Sequence, residues 1–165
     1  MLDTINLSSQ IRSYRKDYPD AIIIIYPHWG SNYKPASDIQ RSFAHNYIDC
    51  GADYVIGHGA HTIQEAEVYK GKWIFYNLGN FIFNAPGRYR STRAKPYGMI
   101  VNLKVSKNES KNERKIVISP IYTNNNETDY LVRSLDDDEM ADFTNYLLNG
   151  KYKFKVNSKD QVELF

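Results

Sequence analysis

The order of apolar runs and turn signals predicts an α/β fold in which a strand, a helix and a second strand are followed by antiparallel hairpins. Three observations carry this. AIIIIY at residues 21–26 is an uninterrupted β-branched run with no polar alternation, the pattern of a strand covered on both faces and hence of a central, parallel strand. Residues 35–50 then follow helical spacing and residues 53–56 read as a second short strand, which implies a right-handed parallel crossover. Beyond Glu65 the pattern switches to alternation interrupted by tight-turn residues.

In chain order, Ile5, Leu7, Ile11 and Tyr14 fall near helical spacing over Thr4–Tyr18, with Asp3 or Thr4 as N-cap and Pro19 as the stop. The AIIIIY strand ends in Pro27, His28, Trp29 and Gly30, so His28 leaves at its carboxyl end, where open α/β sheets carry their sites. The next helix takes Ser37 as N-cap, points Ile39, Phe43, Ala44, Tyr47 and Ile48 inward and stops at Gly51. His45 shares the opposite face with Arg41 and Asp49 and reads as a solvated histidine outside any site. Glu65–Tyr69 and Lys72–Tyr76 flank Lys70-Gly71 as a two-residue hairpin. NLGNFIFN at 77–84 is expected to turn at Gly79 and pack under the preceding histidines. Tyr97–Val105 and Lys115–Tyr122 pair as a long antiparallel hairpin, SKNESKNER between them being a mobile loop and Pro120 lying at a strand end or edge. Ser134–Leu148 is a helix whose acids, Asp136 to Glu139, favour its first turn rather than a metal; Lys151–Phe165 is a terminal edge strand.

The 165 residues fit one domain, with 42% apolar and 24% charged content typical of a soluble globular chain. A net charge of +2, evenly spread, gives no nucleic-acid footprint, so nucleic acid is not a favoured partner. The single cysteine, Cys50, excludes an internal disulfide framework and reads as a small core residue. No apolar run approaches the ~20 residues that span a bilayer, and the first residues lack a secretory pattern.

Chemistry concentrates between Asp53 and Asn84. Gly57 lets the chain turn sharply after Val55 and Ile56, so that His58 and His61 leave the sheet edge together, and the crossover brings His28 to the same edge. Neutral imidazoles on a rigid strand–loop junction suit a metal. Trp29, Gly30, Gly57 and Asn80 read as loop-shaping, Asn80 also as an orienting amide around the ligands. Arg88 and Arg90, in the basic loop Ala85–Lys95, are candidate contacts for an anionic substrate.

HWGSNY, then QRSFA, then DCGADYVIGHGAHTIQEAEVYKGKWIFYNLGNFIF resembles the second half of the bacterial capsule synthesis protein CapA family, the poly-γ-glutamate synthesis proteins, over about residues 20–122. That family is related to the calcineurin-like metallophosphoesterases, so the resemblance implies a partial two-sheet α/β sandwich of that kind. Residues 1–165 would form the C-terminal half of the family fold, 134–165 being its terminal helix and edge segment. It also implies a divalent transition metal (Mn, Fe or Zn), with His28 and His58 on one ion and His61 on another. The complete protein would be a metal-dependent hydrolase or transferase acting on poly-γ-glutamate or a similar anionic polymer, with a cell-surface or membrane-associated parent. Asn32 stands where the family has glutamate, and Gly59-Ala60 replace the interior of its GHHPH motif. The family's first half, with its bridging aspartate, has no counterpart before Asp20. The chain is therefore expected to be a fragment, a separately encoded half completed by another chain, or a degenerate member. The alternatives are a non-catalytic polymer-binding or assembly component and a single zinc held by the three histidines.

Overall fold

The computed structural model describes residues 4–108 and 111–165. Helix α1 (Thr4–Asp17) stops just before Pro19, whose ring cannot continue it. Of the two expected N-caps, Asp3 lies outside the described residues and Thr4 is already helical. Ile11 is buried, but Tyr14, expected on the same stripe, is exposed and stacks on Tyr18. Arg15 anchors the helix by donating to the carbonyls of Pro19, Ala21 and Gly51 and to the Asp53 carboxylate.

Strand β1 (Ile24–Ile25), helix α2 (Asp38–Asp49) and strand β2 (Tyr54–Ile56) form the expected crossover, with β1 and β2 parallel. Ser37 caps α2 in a reciprocal box: its Oγ accepts from the Gln40 amide and the Gln40 side chain accepts from the Ser37 amide. Ala44, Tyr47 and Ile48 face inward, and so does Cys50 just beyond the helix, but Ile39 is 67% exposed. The buried place on that turn belongs to Gln40, whose Nε2 donates to Gln64 Oε1 at 2.9 Å.

Strands β3 (Ala66–Tyr69) and β4 (Lys72–Phe75) make the predicted hairpin, with φ of +49° at Lys70 and +74° at Gly71. Both positive values match the twist of the flanking strands. It is β4 that docks beside β2, and in parallel, so the sheet order is β1-β2-β4-β3. This corrects the expectation of a central β1: the strand is at the edge. Ile23 and Ile25 pack toward α1 and α2, while Ile24 and Tyr26 remain 45% and 59% exposed on the other face. A β-branched run reports what cover a strand can use, not whether this chain supplies it on both sides.

After the short helix α3 (Tyr89–Thr92), strands β5 (Tyr97–Asn108) and β6 (Lys111–Tyr122) pair from Tyr97↔Tyr122 to Asn108↔Lys111. The polar stretch expected to be a loop is therefore mostly ladder; residues 109–110 lie outside the described set. Backbone hydrogen bonds hold a two-stranded ribbon without an apolar side-chain pattern, which is why composition misled there. Helix α4 (Asn125–Thr128) follows, then α5 (Asp137–Leu148). Asp136 is the N-cap of α5 and pairs reciprocally with Glu139, so this helix starts later than Ser134. The C-terminal segment is a hairpin, not one edge strand: in the order β5-β6-β8-β7 its strand β8 (Val162–Leu164) lies inside and its strand β7 (Phe154–Val156) forms one edge, β5 the other. Buried Val162 and Leu164 against exposed Phe154 and Val156 account for that order. Pro120 pairs with Met99 beyond the stretch Ile116–Ile118 that contacts β8, so its missing N–H breaks no bond to β8.

Two cores result. Phe75, Ile118, Phe143, Leu147 and Val162 join both sheets and α5, while Ile11, Ala44, Tyr47, Val55 and Ile74 join the first sheet to α1 and α2. Among the described residues no helix is long and apolar enough to cross a membrane.

Candidate functional site

The β1–β2 ladder continues past both strands and delivers the first two histidines. The His58 amide donates to Pro27 O at 3.0 Å, the Trp29 amide donates to His58 O at 2.8 Å, and His28 and His58 form a parallel bridge. Their rings meet edge to face, 4.8 Å between centroids, and Tyr26 stacks on His58 at 4.3 Å. Burial, and secondarily the charge of His28, hold the His58 imidazole below its ordinary value, so the neutral ligand form is favoured. Strand alternation puts Tyr26 on the face of His28, a signal that period-two reading of the sequence could have caught.

Glycines make this approach possible. A Cβ on Gly57 would lie 2.2 Å from both Trp29 Nε1 and Tyr76 O, the two atoms that share a 2.8 Å hydrogen bond across it. A Cβ on Gly59, at φ +111°, would lie 2.8 Å from His28 Nε2. Gly30, at φ +88°, lets the chain turn over Gln40 and Ala60. Trp29 itself is buried between Tyr47 and Tyr76 and belongs to the framework.

His61 goes elsewhere. Its backbone is left-handed (φ +60°), as is that of Tyr33 (φ +59°), whose amide donates to Ala60 O at 2.7 Å. The His61 ring stacks on Tyr33 at 5.7 Å and tilts against Phe83 at 4.8 Å, while Nδ1 bonds Asn80 Oδ1 at 2.9 Å. The loop 77–84 thus packs against the histidine turn as expected. Among the described residues no group of three or more His, Cys, Asp or Glu side chains is placed to hold a metal ion. Convergence of three imidazoles, as a lone three-histidine zinc site requires, is therefore not what the fold produces: His28 and His58 meet and His61 stands apart. Two imidazoles supply part of a coordination sphere that needs at least four ligands, so this chain alone does not fit a complete transition-metal site.

Asn32, Tyr33, His61, Phe83, Pro86 and Arg88 line a cavity of about 340 Å³. Gly87 and Arg88 also belong to a neighbouring cavity of about 520 Å³ that reaches Arg90, Asn124 and Asn126. The Arg88 guanidinium lies 5.7 Å from the Tyr33 ring centroid. Among the described residues neither Arg88 nor Arg90 forms an ion pair, in contrast to Arg15, Arg41, Arg114 and Arg133. Phe83 belongs to the loop expected beneath the histidines, whereas Tyr33 and Tyr89 give no sequence signal, since an aromatic in a polar loop has no hydropathy signature.

His45 is corrected from solvated to packed: its ring stacks on Tyr69 at 3.9 Å and Nε2 lies 2.9 Å from Glu67 Oε1, which ties α2 to β3. It remains outside the site.

The profile of the family described as bacterial capsule synthesis protein PGA_cap matches residues 2–85, half of the chain. The PGA biosynthesis protein CapA of Bacillus subtilis (strain 168) is 44% identical over 64 residues, 38% of this chain and 17% of that protein. The capsule biosynthesis protein CapA of Bacillus anthracis is 43% identical over 65 residues, covering 38% and 16%. A probable polyglutamine synthesis accessory protein of Mycobacterium tuberculosis is 40% identical over 72 residues, covering 42% and 18%. The aligned chain thus spans less than a fifth of the length of these relatives. The matched span contains the whole β1–α2–β2 crossover, the histidine pair and the His61 turn; on that correspondence, the chain belongs to the bacterial capsule synthesis protein PGA_cap family.

Proposed function

We propose that this chain is part of a capsule-synthesis protein that handles poly-γ-glutamate or a related anionic polymer as a metal-dependent hydrolase or transferase, on a calcineurin-like metallophosphoesterase sandwich completed by polypeptide outside the chain. The observation that carries the reading is the His28–His58 bridge at the carboxyl ends of adjacent parallel strands, in a chain of this family. The two imidazoles would contribute to one metal site (Mn, Fe or Zn) and His61 to a second ligand position, the remaining ligands coming from outside the chain. Arg88 and Arg90, which form no ion pair among the described residues, would meet the polymer's carboxylates, a use for which guanidinium is well shaped.

The test measures metal content and native mass of the 165-residue chain and of its complex with the completing polypeptide, before and after substitution. Near-stoichiometric metal in the complex, lost with His58→Ala, supports the reading; hydrolysis or transfer on glutamyl polymers that survives His58→Ala with His61→Ala sinks it. A second reading, a non-catalytic polymer-binding or assembly component, is favoured by Asn32 and Gly59 standing where the family resemblance expects glutamate and histidine. Polymer binding that persists through chelation and through loss of both histidines would favour it.

A further inference from the structure

The two four-stranded sheets have their edges at β1, β3, β5 and β7, and among the described residues three of these are protected against pairing with another chain. On β3 the outward Val68 amide donates to the Tyr152 hydroxyl at 2.9 Å and α5 packs against the strand. Edge β5 is taken at its start, where the Met99 amide donates to Leu78 O at 2.9 Å, and carries exposed Lys104 further on. Edge β7 holds exposed Lys155, with Lys151 and Lys153 just before it, cations that an added strand would desolvate.

Strand β1 has none of these devices. Its ladder to β2 outruns the strand itself: Ile23 O accepts from the Tyr54 amide at 3.3 Å, Pro27 O accepts from the His58 amide at 3.0 Å, and the Trp29 amide donates to His58 O at 2.8 Å. Alternate residues of a parallel ladder bond to the same neighbour, so Ile23, Ile25, Pro27 and Trp29 face β2. The N–H and C=O groups of Ile24, Tyr26 and His28 therefore point out of the sheet edge, and among the described residues nothing bonds to them. Pro27 does not blunt this edge, because its missing N–H lies on the β2 side. No Lys, Arg, Asp or Glu stands between Asp20 and Lys34 to guard it.

Side-chain cover stops at the same place. Tyr54 joins the core shared with the second sheet and is 6% exposed, whereas Ile24, its register partner on β1, is 45% exposed. We propose that β1 is the seam at which the polypeptide completing this chain adds a strand, uncharged and rich in β-branched residues, whose backbone pairs with Ile24, Tyr26 and His28 and whose side chains cover Ile24. Main-chain bonds of this kind supply affinity, and the apolar neighbours select the side chains. The choice of occupant rests on the reading above, and the relatives have the length to supply it, since the aligned stretch is less than a fifth of each.

The experiment follows backbone amide exchange by NMR in the 165-residue chain, alone and mixed with a full-length family member from which the segment aligned with this chain has been deleted; native mass is measured on both samples. Alone, the chain is expected to be a monomer in which the Ile25 and Trp29 amides exchange slowly and those of Ile24, Tyr26 and His28 exchange freely. In the complex these last should slow about a hundredfold. Ile24→Lys should weaken the complex about tenfold, because the ammonium would be buried in the seam. Ile24→Thr, uncharged and β-branched, should weaken it far less, and Val156→Lys on β7 not at all. Failure to form a complex, free exchange at Ile24 and Tyr26 within it, full affinity of Ile24→Lys, or a dimer of the chain alone that protects these amides overturns the proposal. Metal content of the same complex separates the two readings: protected amides without bound metal keep the seam and sink the metal site, and bound metal with unprotected amides does the reverse.

Discussion

At the start of β2 the Asp53 carboxylate, only 5% exposed, accepts from Arg15 at 2.5 Å, Lys72 at 2.6 Å, Arg114 at 2.9 Å and the Ile23 amide at 3.0 Å. These donors come from α1, β4, β6 and the chain entering β1, so one carboxylate ties the helical layer to both sheets. Just past the other end of the same strand His28 and His58 face each other, and among the described residues neither they nor Arg88 and Arg90 form an ion pair. One end has its polar capacity consumed internally and the other leaves it available. The contrast teaches where to look for function: not at the most perturbed carboxylate, which is structural here, but where charged and ligating groups lack protein partners.

The largest effect expected from testing this contrast is at Asp53. Asp53→Asn keeps the shape but leaves three cations facing a neutral amide, and should cost about 3 kcal/mol, the low end for breaking a buried pair because the cations stay partly solvated. Urea unfolding measures it; a loss under about 1 kcal/mol would mean that the hub does not hold the layers together. Burial alone would raise the Asp53 carboxyl, but the bonds from Lys72, Ile23 and Arg114 outweigh it and hold it far below the usual range. Its contribution is therefore fully present above the unfolded value near ~4 and fades as pH falls toward the folded value. The stability gap between parent and Asp53→Asn should accordingly shrink below about pH 4.

Much of this was legible in the sequence. The crossover, the Lys70-Gly71 hairpin, the Ser37 cap and the strand-end placement of His28 and His58 all follow from local chemistry: β-branched runs, a positive-φ turn, a reciprocal cap, a proline-terminated strand. What failed was non-local. The order β1-β2-β4-β3 depends on which strand of a hairpin docks beside β2, and alternation cannot say. His61 looked like a partner of His58 because the two are close in sequence, yet its left-handed backbone sends the ring to Tyr33 and Phe83. Asp53 carried no signal beyond opening the second strand, because its three cations come from distant parts of the chain.

Glycine substitutions sharpen the comparison on a smaller scale. Gly57→Ala drives a methyl into the Trp29–Tyr76 hydrogen bond, and overpacking together with a strained buried bond should cost about 2 kcal/mol, with red-shifted tryptophan fluorescence. Gly59→Ala should cost less, about 1 kcal/mol of left-handed strain, because the neighbour it meets is the exposed side chain of His28, which can swing away. If the two glycines cost the same, the division between framework and site is drawn in the wrong place. If Gly59→Ala weakens metal retention by the completed protein while Gly57→Ala mainly lowers Tm, the division holds.

The smallest stability effect is expected at His58 itself. His58→Gln removes a half-buried ring stacked on Tyr26, with no ion pair to break, and at pH 7 should change stability by no more than about 0.5 kcal/mol. Because burial and His28 lower the folded value of this imidazole, protonation favours the unfolded chain. The stability tied to the neutral ring is present above the unfolded value near ~6.5 and is lost as pH falls through the lower, folded value. Between pH 7.5 and 5.5 the Tm of the parent should therefore fall more than that of His58→Gln. A variant that instead loses 2 kcal/mol or more at pH 7 would make the histidine pair part of the framework, and would erase the difference between the two ends of β2.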